Sequence, residues 1–301
     1  MKTLSRLPHP VTDSMRCVSR TLITLTVSGG LALAPITQGA LSLTLDFSSF
    51  SSGEPSGSLF GGGNPQSVVE AAASYWETAF ADSTASLSQT ISVTWGGQMT
   101  SGVLATGGAS FNSSGDLSNG MLTFDNDGSS EFFVDPTPFD SSEWSLFNTN
   151  DSDLGGGSLN VERRYTSGSG AAGTYADFLS VAIHEIGHAI GVLSSYPLWE
   201  DARDADSDAS DIDVTAPRPF AGSEIPITGA HIDSPLSNTN LSTSIISGQR
   251  KLLSEADILL VAEVHGFDNL NLDPNPIPEP QMAGLVALVG LFVWQRRRRS
   301  T

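Results

Sequence analysis

A short stretch near the middle of the chain, VAIHEIGHAIGVLSS (181–195), carries two histidines and a glutamate at a spacing that suits metal chemistry. On a helix, residues four apart share a face, so His184 and His188 can direct both imidazoles at one ion. Glu185 follows the first histidine and can reach a water on that ion without binding the metal itself. Zinc lowers the pKa of its water towards about 7, and a carboxylate can then take the proton during attack on a carbonyl.

The alternative for this stretch is a core helix with two partly buried histidines and no metal. Its apolar residues lie on most sides of the helix, so the helix should be buried. Glutamate is rarely buried without a partner, and the alternative leaves Glu185 unexplained. The pattern therefore predicts a metal site with His184 and His188 as ligands and Glu185 as the catalytic residue.

A third ligand has to come from elsewhere in the chain, which holds five histidines. His9 lies in an N-terminal segment that we expect to be removed. His265 is expected in the last turn of the final helix, where an imidazole interacts favourably with the helix C-terminus. His231 has no such role, so it is the predicted third metal ligand. A carboxylate, Glu200 or Asp201, is the next candidate.

The acidic run DADSDASDID (204–213) raises a second metal hypothesis. Asp204, Asp206 and Asp208 are spaced like the start of a calcium loop. Ala209 stands where an EF-hand needs glycine, and no glutamate closes the loop. Calcium binding of another kind and a solvated acidic loop both stay open.

The N-terminal 40 residues have the pattern of a secretory signal peptide that signal peptidase removes. Basic residues precede an apolar run, TLITLTVSGGLALAP, which small residues follow. Translation from Met15 would give a shorter basic region before the same run. A membrane anchor is the alternative, but the run is short and is broken by glycine and proline.

The C-terminal residues 278–301 combine a Pro-Glu-Pro triplet, an apolar segment at 282–294 and four arginines at 296–299. The apolar segment is short for a permanent span, which needs about 20 apolar residues, and the arginines would stay on the cytoplasmic side. The three elements resemble the PEP-CTERM sorting signal of Gram-negative bacteria. The resemblance implies transient anchoring in the inner membrane, then cleavage by an exosortase-type enzyme. The protein would finish at the cell surface, in the outer envelope or in the extracellular matrix. An ordinary tail anchor is the alternative.

Between these ends the chain is strongly acidic. Of 14 Lys and Arg residues, four lie in 1–40 and four in 296–299, which leaves six. Of 33 Asp and Glu residues, one lies in these ends, which leaves 32 and a net charge of −26. Such a charge disfavours nucleic acid and anionic membranes as partners. The only cysteine, Cys17, lies in the leader, so the mature core would depend on packing without disulfides.

The elements that must position the site mix strands and helices. Alternating apolar and polar residues predict strands at 41–50, 89–97, 102–111, 120–127 and 158–166. Val68, Ala72, Trp76 and Phe80, at four-residue spacing, predict an amphipathic helix at 66–82.

Two further helices are predicted from their end signals. The motif helix should begin near Thr174, with Thr174-x-x-Asp177 as a capping box, and should stop at Gly191. The last helix should run from about Glu255 to Val264, with Ser254-x-x-Asp257 as its cap and Gly266 as its end. The segment 197–240 between them is predicted to be irregular, and 271–280 to be a linker.

A glycine follows the second histidine by three residues, and HEIGHAIG resembles the metzincin clan of zinc endopeptidases. In most metzincins the third histidine would fall at position 194, which is serine here. In leishmanolysin-like members an insertion moves the third histidine to a later loop, and the gap from His188 to His231 resembles that arrangement. Bacterial PEP-CTERM metalloproteases are more similar still. They share a helix with Trp (AAASYWETAF), a strand before the active helix (LNVERRY) and a Gly-Arg element before a final helix (SGQRKLLSEADILLVAEVHGF). Leu241 departs from the clan, since it stands where metzincins have a methionine in a turn beneath the metal.

The resemblance covers most of 41–270 and implies an α+β fold with a metzincin-like zincin domain. A mixed twisted sheet would pack on two long helices, the second carrying HExxH, and a smaller irregular C-terminal subdomain would end in a helix. The implied function is that of an exported zinc metalloendopeptidase. It would hydrolyse protein or peptide substrates through a zinc-bound water activated by Glu185. One alternative is a non-catalytic cell-surface or matrix protein on a degenerate protease scaffold. Another is a structural metal closed by four protein ligands.

Overall fold

The computed structural model describes residues 40–97, 102–205, 208–215 and 220–275, which all belong to one compact unit. These residues form four α-helices and thirteen strands in four sheets, so the predicted mixed α+β class is confirmed. The helices are α1 (Pro65–Ala79), α2 (Phe178–Ala189), α3 (Pro197–Arg203) and α4 (Glu255–His265), with a 3₁₀ turn at Gly170–Gly173. The strands are β1 (Leu41–Asp46), β2 (Leu59–Phe60), β3 (Leu87–Gly96), β4 (Ala105–Phe111), β5 (Leu117–Asp125), β6 (Phe132–Phe133), β7 (Trp144–Asp153), β8 (Ser158–Gly168), β9 (Ala176–Asp177), β10 (Asp211–Asp213), β11 (Glu224–Thr228), β12 (His231–Ile232) and β13 (Arg250–Lys251).

The predicted signal peptide and the predicted sorting tail lie outside the described residues, apart from residue 40 and the first residues of the predicted linker. Within the described ranges, every helix is too short or too polar to cross a membrane.

A mixed four-stranded sheet in the order β1-β3-β5-β4 supports the site. β1, β3 and β5 are parallel, and β4 pairs antiparallel with β5 at one edge. The predicted alternation explains the central strand, because Ile91, Val93 and Trp95 of β3 are buried while the residues between them are more exposed. The four predicted strands 41–50, 89–97, 102–111 and 120–127 correspond to β1, β3, β4 and β5.

Two helices pack on this sheet and on each other. α1 contacts β1, and α2 contacts β4 and β5. Asn64 caps α1, and the predicted apolar stripe of α1 is buried. The indole Nε1 of Trp76 donates a 2.9 Å hydrogen bond to the backbone oxygen of Ile183. This bond joins α1 to the turn of α2 that ends at the first motif histidine.

The start of α2 differs from the prediction. The helix begins at Phe178 rather than near Thr174, and its N-cap is Asp177, whose carboxylate accepts a 3.0 Å bond from the amide of Ser180. Thr174 instead ends the preceding 3₁₀ turn. Asp177 cannot be helical because it is also paired with Phe133 in a sheet. The predicted stop is confirmed: Ile190 is the C-cap, and Gly191 has a φ of 111°.

A buried ion cluster fixes the N-cap of α2. The guanidinium of Arg250, in β13, lies 2.9 Å from Asp177 Oδ1 and 2.7 Å from Asp135 Oδ2, and all three side chains are almost fully buried. The guanidinium carbon also lies 4.3 Å from the ring centre of Trp144. Because the charges are paired and hydrogen-bonded, the cluster ties three distant segments to one place in the fold.

The segment 197–240 was wrongly predicted to be irregular. Pro197 starts α3, a position that favours proline, and Trp199 anchors the helix in the core. Further along, β10, β11 and β12 form a three-stranded antiparallel sheet. These strands were not predicted because they are short. The alternation of buried and exposed residues around Ile225 and Ile227 extends over too few residues to stand out from the polar sequence on both sides.

β7 was not predicted, although it forms a long antiparallel hairpin with β8. Its sequence, WSLFNTNDSD, is mostly polar because the strand is an exposed edge. The final helix matches its prediction: Ser254 and Asp257 form a capping box, and Gly266 ends α4 with a φ of 68°.

Candidate metal centre

Three histidines from two distant segments meet at one point. His184 and His188 lie one turn apart on α2, and His231 comes from the short strand β12. His188 Nε2 lies 3.1 Å from His184 Nε2 and 3.2 Å from His231 Nε2. The structure thus brings together the three residues that the sequence predicted as ligands, and within the described ranges they form the only cluster of His, Cys, Asp or Glu donors suited to a metal.

The far side of each helix imidazole is held by a backbone carbonyl. His184 Nδ1 donates to the oxygen of Asn240 at 2.8 Å, and His188 Nδ1 donates to the oxygen of Val192 at 2.6 Å. A neutral imidazole carries one proton, so these bonds leave both Nε2 atoms unprotonated, with lone pairs facing each other. Two lone pairs at 3.1 Å repel, and a cation between them would remove the repulsion.

Burial keeps these imidazoles neutral. It lowers the pKa of His188 to about 4 and lowers the pKa of His184 well below its usual value, an effect that the neighbouring His188 strengthens. Burial also lowers the pKa of His231, which is more exposed. At neutral pH all three groups are therefore ready to donate to a metal without first losing a proton.

The distances fit a transition metal. Two imidazole nitrogens bound to tetrahedral zinc at about 2.0–2.1 Å lie about 3.3 Å apart. The observed separations of 3.1 and 3.2 Å are close to this value. Imidazole ligands also suit copper, iron and nickel, so the donor set alone does not select zinc.

Glu185 lies beside the three histidines and lines the same cavity. Only 7% of the residue is exposed. Burial raises the pKa of its carboxyl group to about 7, although the backbone amide of Gly107 donates a hydrogen bond to it and opposes the shift. A carboxyl with a pKa near neutrality can both take and return a proton at physiological pH.

Gly107 lets the edge strand β4 approach α2. A Cβ at this position would overlap the backbone oxygen of Glu185 and lie 2.9 Å from the Cβ of His188. The absence of a side chain therefore brings the strand against the turn of α2 that carries the site.

We expect Gly107→Ala to push β4 away from α2, lowering the stability by about 1–3 kcal/mol through overpacking and displacing the donor to Glu185. The matched control is Gly108→Ala, because a Cβ there meets only the flexible Met121 side chain at 3.8 Å. Urea unfolding of both variants tests this. Equal stability of the two variants would show that the close approach is unimportant.

Buried charged groups hold the segment 237–241, which contains the Asn240 carbonyl that accepts the bond from His184. The carboxylate of Asp257 accepts hydrogen bonds from the backbone amides of Asn240 (3.1 Å) and Leu241 (2.8 Å). The ammonium of Lys251 donates to carbonyl oxygens of the same segment, at 2.8 Å to Ser237 and 3.2 Å to Thr239. A buried anion and a buried cation thus place the carbonyl that orients His184.

Leu241 fills the space under the site. It is fully buried, and Gly187 leaves it room, since a Cβ on Gly187 would overlap its side chain. The backbone oxygen of Leu241 accepts a 3.0 Å bond from the amide of Ile232. Because Ile232 follows His231, this bond also fixes the third imidazole relative to the first two.

A cavity of about 580 Å³ opens over the three histidines. One wall is the stretch 102–107, which runs into β4, and another is α2 with residues 193–195 beyond its end. The rest comes from the segments around His231 and Ile245. A peptide-sized ligand can therefore reach the imidazoles from one side.

The other predicted site residues lie elsewhere. Glu200 and Asp201 are on α3, outside the histidine cluster. Of the calcium candidates, Asp204 is paired with Arg203 at 2.6 Å, and Asp208 accepts a 2.8 Å bond from the hydroxyl of Ser210. Asp206 lies outside the described residues, so the calcium hypothesis stays a prediction.

His265 lies outside the cluster of three histidines, in the last turn of α4 as predicted. Its Nε2 donates to the backbone oxygen of Ile190 at 2.5 Å, and burial lowers its pKa to about 4. Its interaction is thus with the end of α2, and the preference for His231 over His265 as the third ligand agrees with the geometry.

The buried His265 predicts a pH effect on stability. Since its pKa is about 4 in the folded protein and 6.5 for an ordinary solvated histidine, the unfolded chain binds more protons between these values. Stability should therefore fall as pH drops from 6.5 towards 4. His265→Gln keeps a donor for Ile190 and should make this fall shallower by up to about 1.4 kcal/mol per pH unit. Urea unfolding of both metal-free proteins at several pH values tests this, and parallel pH profiles would contradict it.

Sequence reasoning missed the groups that orient the candidate ligands. The carbonyls of Asn240 and Val192 carry no side-chain signal, so no motif could reveal them. Asp257 was recognised as a helix cap, but its bonds to the segment under His184 depend on tertiary structure. The pattern of β4 predicted a strand without showing that Gly107 faces Glu185.

Comparison of the chain with protein-family models, with curated proteins and with solved structures finds no match.

Proposed function

We propose that this protein is an exported, zinc-dependent metalloendopeptidase with a metzincin-like catalytic domain. His184, His188 and His231 would hold the zinc, and Glu185 would serve as the general base. The observation that carries the proposal is the pair of unprotonated Nε2 atoms 3.1 Å apart, with their Nδ1 atoms fixed by carbonyls. Carbonyl-oriented imidazoles of this kind are typical of metal ligands.

The number of ligands supports a catalytic rather than a structural metal. A structural zinc is closed by four protein ligands, whereas a catalytic zinc keeps one position open. In the described ranges, no further His, Cys, Asp or Glu joins the three histidines, and a cavity lies over them. When bound, the zinc would act as a Lewis acid that polarises water and a substrate carbonyl.

Glu185 supplies the proton transfer in this proposal. Its carboxyl lines the cavity next to the imidazoles and is raised in pKa to about 7 by burial. It can take a proton from the attacking water and deliver it to the leaving amine, as a general base and then a general acid. The amide of Gly107 orients the carboxylate for both steps.

The edge of β4 gives the substrate a place to bind. Among the described strands β4 pairs only with β5, so its other edge presents backbone groups beside the cavity. An extended peptide can add to such an edge through main-chain hydrogen bonds. This mode of binding would lay a peptide bond across the three histidines, and it favours peptides over small molecules as substrates.

Leu241 is compatible with the metzincin-like fold that we propose, although metzincins have a methionine at this point. The buried leucine here packs directly under α2. The position is a packing element and not a ligand, so leucine supports the site in the same way. The export signals of the two chain ends complete the proposal and rest on the sequence alone.

Chelator-sensitive proteolysis tests the proposal. The purified core should cleave casein or a neutral fluorogenic peptide, lose this activity in a strong chelator, and regain it with one equivalent of zinc. Bound zinc without cleavage of any peptide would favour the non-catalytic surface protein instead.

A further inference from the structure

The described residues that line the cavity over the histidines are uncharged apart from Glu185 and the imidazoles. The walls contain Val103, Leu104, Val181, Leu193 and Ile245 together with serines and threonines. A charged substrate side chain would lose its water here without gaining a partner. Residues flanking the cleaved bond should therefore be uncharged.

A second cavity of about 240 Å³ adjoins the first and shares Gly102 and Leu104 with it. This cavity is polar. Among the described residues that line it, Glu131 is the one with a charged side chain, and serines, Thr174 and Tyr175 supply hydroxyl groups. Glu131 is an exposed residue, and none of the ion pairs found among the described residues involves it.

The rise per residue of an extended chain gives the distance from the catalytic end of the first cavity to the second cavity. A strand advances about 3.3 Å per residue, so Leu104 lies about 10 Å along the chain from Gly107, which faces Glu185. A peptide that pairs with the free edge of β4 would cover this distance with three residues. Its third or fourth residue from the cleaved bond would then lie over the second cavity, near Glu131.

The charge of the molecule favours a cation at that point. The core between the two chain ends has a net charge of −26, from six basic and 32 acidic residues. Every described lysine and arginine is already engaged, four in ion pairs with acidic residues and Lys251 in bonds to carbonyls. Nothing among the described cations neutralises Glu131, so a substrate cation can do so.

We infer that the two cavities form one substrate groove, selecting extended peptides that have uncharged residues at the cleaved bond and a lysine or arginine three or four residues away, bound by Glu131. This inference rests on the proposed function and names its substrate class.

A lysine scan tests the inference. A neutral fluorogenic peptide is compared with variants that carry one lysine at each position on both sides of the cleaved bond. Lysine three or four residues from the bond should raise kcat/KM about two- to fivefold, which is the size of an exposed ion pair. The gain should shrink in about 0.5 M salt, because exposed pairs are screened.

Glu131→Gln should abolish the gain, measured as the ratio of kcat/KM for the lysine peptide to kcat/KM for the neutral peptide with the same variant. Glu224→Gln is the matched control, since Glu224 is also exposed but lines neither cavity, and it should keep the gain. Two results would overturn this inference alone. One is that the neutral peptide is cleaved and lysine at no position raises kcat/KM; the other is that lysine raises kcat/KM equally in Glu131→Gln and in the wild type. An uncut neutral peptide would overturn the proposed function and this inference with it.

Discussion

Glu185→Gln is expected to keep the metal and to lower kcat/KM for peptide cleavage by about 10²- to 10⁴-fold, the usual contribution of general acid–base catalysis. Glutamine has almost the same shape and can still accept the bond from Gly107, but it cannot take a proton. Zinc content by elemental analysis and cleavage of a neutral peptide measure the two properties separately. A variant that cleaves at the wild-type rate would end the proposed role of Glu185.

The Glu185→Gln variant should be at least as stable as the wild type at neutral pH. Burial raises the pKa of Glu185 to about 7 in the folded protein, from an ordinary value of 4.5. Between these pH values the folded state therefore holds a proton on Glu185 that the unfolded state has released. This difference lowers the stability of the wild type as pH rises from about 4.5 to 7. Glutamine has no such cost, and Glu185→Gln should unfold at an equal or higher urea concentration at neutral pH. Loss of cleavage could then not be attributed to unfolding.

His231→Ala is expected to weaken zinc binding by more than about 100-fold, because removing a ligand costs more than the 10- to 100-fold loss seen for an outer-shell partner. The remaining pair, His184 and His188, would leave two positions of the metal to solvent. Competition with a chromophoric chelator measures the affinity, and cleavage should fall with the bound zinc.

The control for this prediction is His265→Ala. Both substitutions remove one imidazole, but His265 bonds to the backbone oxygen of Ile190 and lies outside the cluster of three histidines. His265→Ala should keep its zinc affinity, whereas His231→Ala should lose it. Unchanged affinity in His231→Ala would mean that another donor, or no third donor, holds the metal.

The sequence predicted most of what depends on local spacing. The capping box of Ser254 and Asp257 and the glycine at 266 define α4 correctly, because caps act within one turn. The stripe through Trp76 defines α1, because burial of one helix face has a fixed period. His231 was identified by elimination, since the chain offers few imidazoles.

Other features depend on contacts that spacing does not encode. Asp177 rather than Thr174 caps α2, because Arg250, 73 residues later, pairs with Asp177 and a sheet keeps Asp177 extended. β7 was not predicted because an edge strand with two solvated faces needs no apolar alternation. The bond from His184 to the oxygen of Asn240 joins residues 56 apart and involves no side chain of Asn240.

Rigidity of the support is the physical link between this fold and the proposed chemistry. α2 is fixed at its start by the Arg250 ion cluster and is joined to α1 by the bond from Trp76 to Ile183. The segment beneath it is fixed by Asp257. A metal that binds to ligands already in position does not have to order them, and this favours tight binding.

Anomalous diffraction at the zinc edge, from crystals of the zinc-loaded protein, tests the metal centre most directly. We expect one peak about 2.0–2.1 Å from the Nε2 atoms of His184, His188 and His231, with the remaining position held by solvent. A peak at another place, or a fourth protein ligand at this one, would contradict a catalytic centre built from these three histidines.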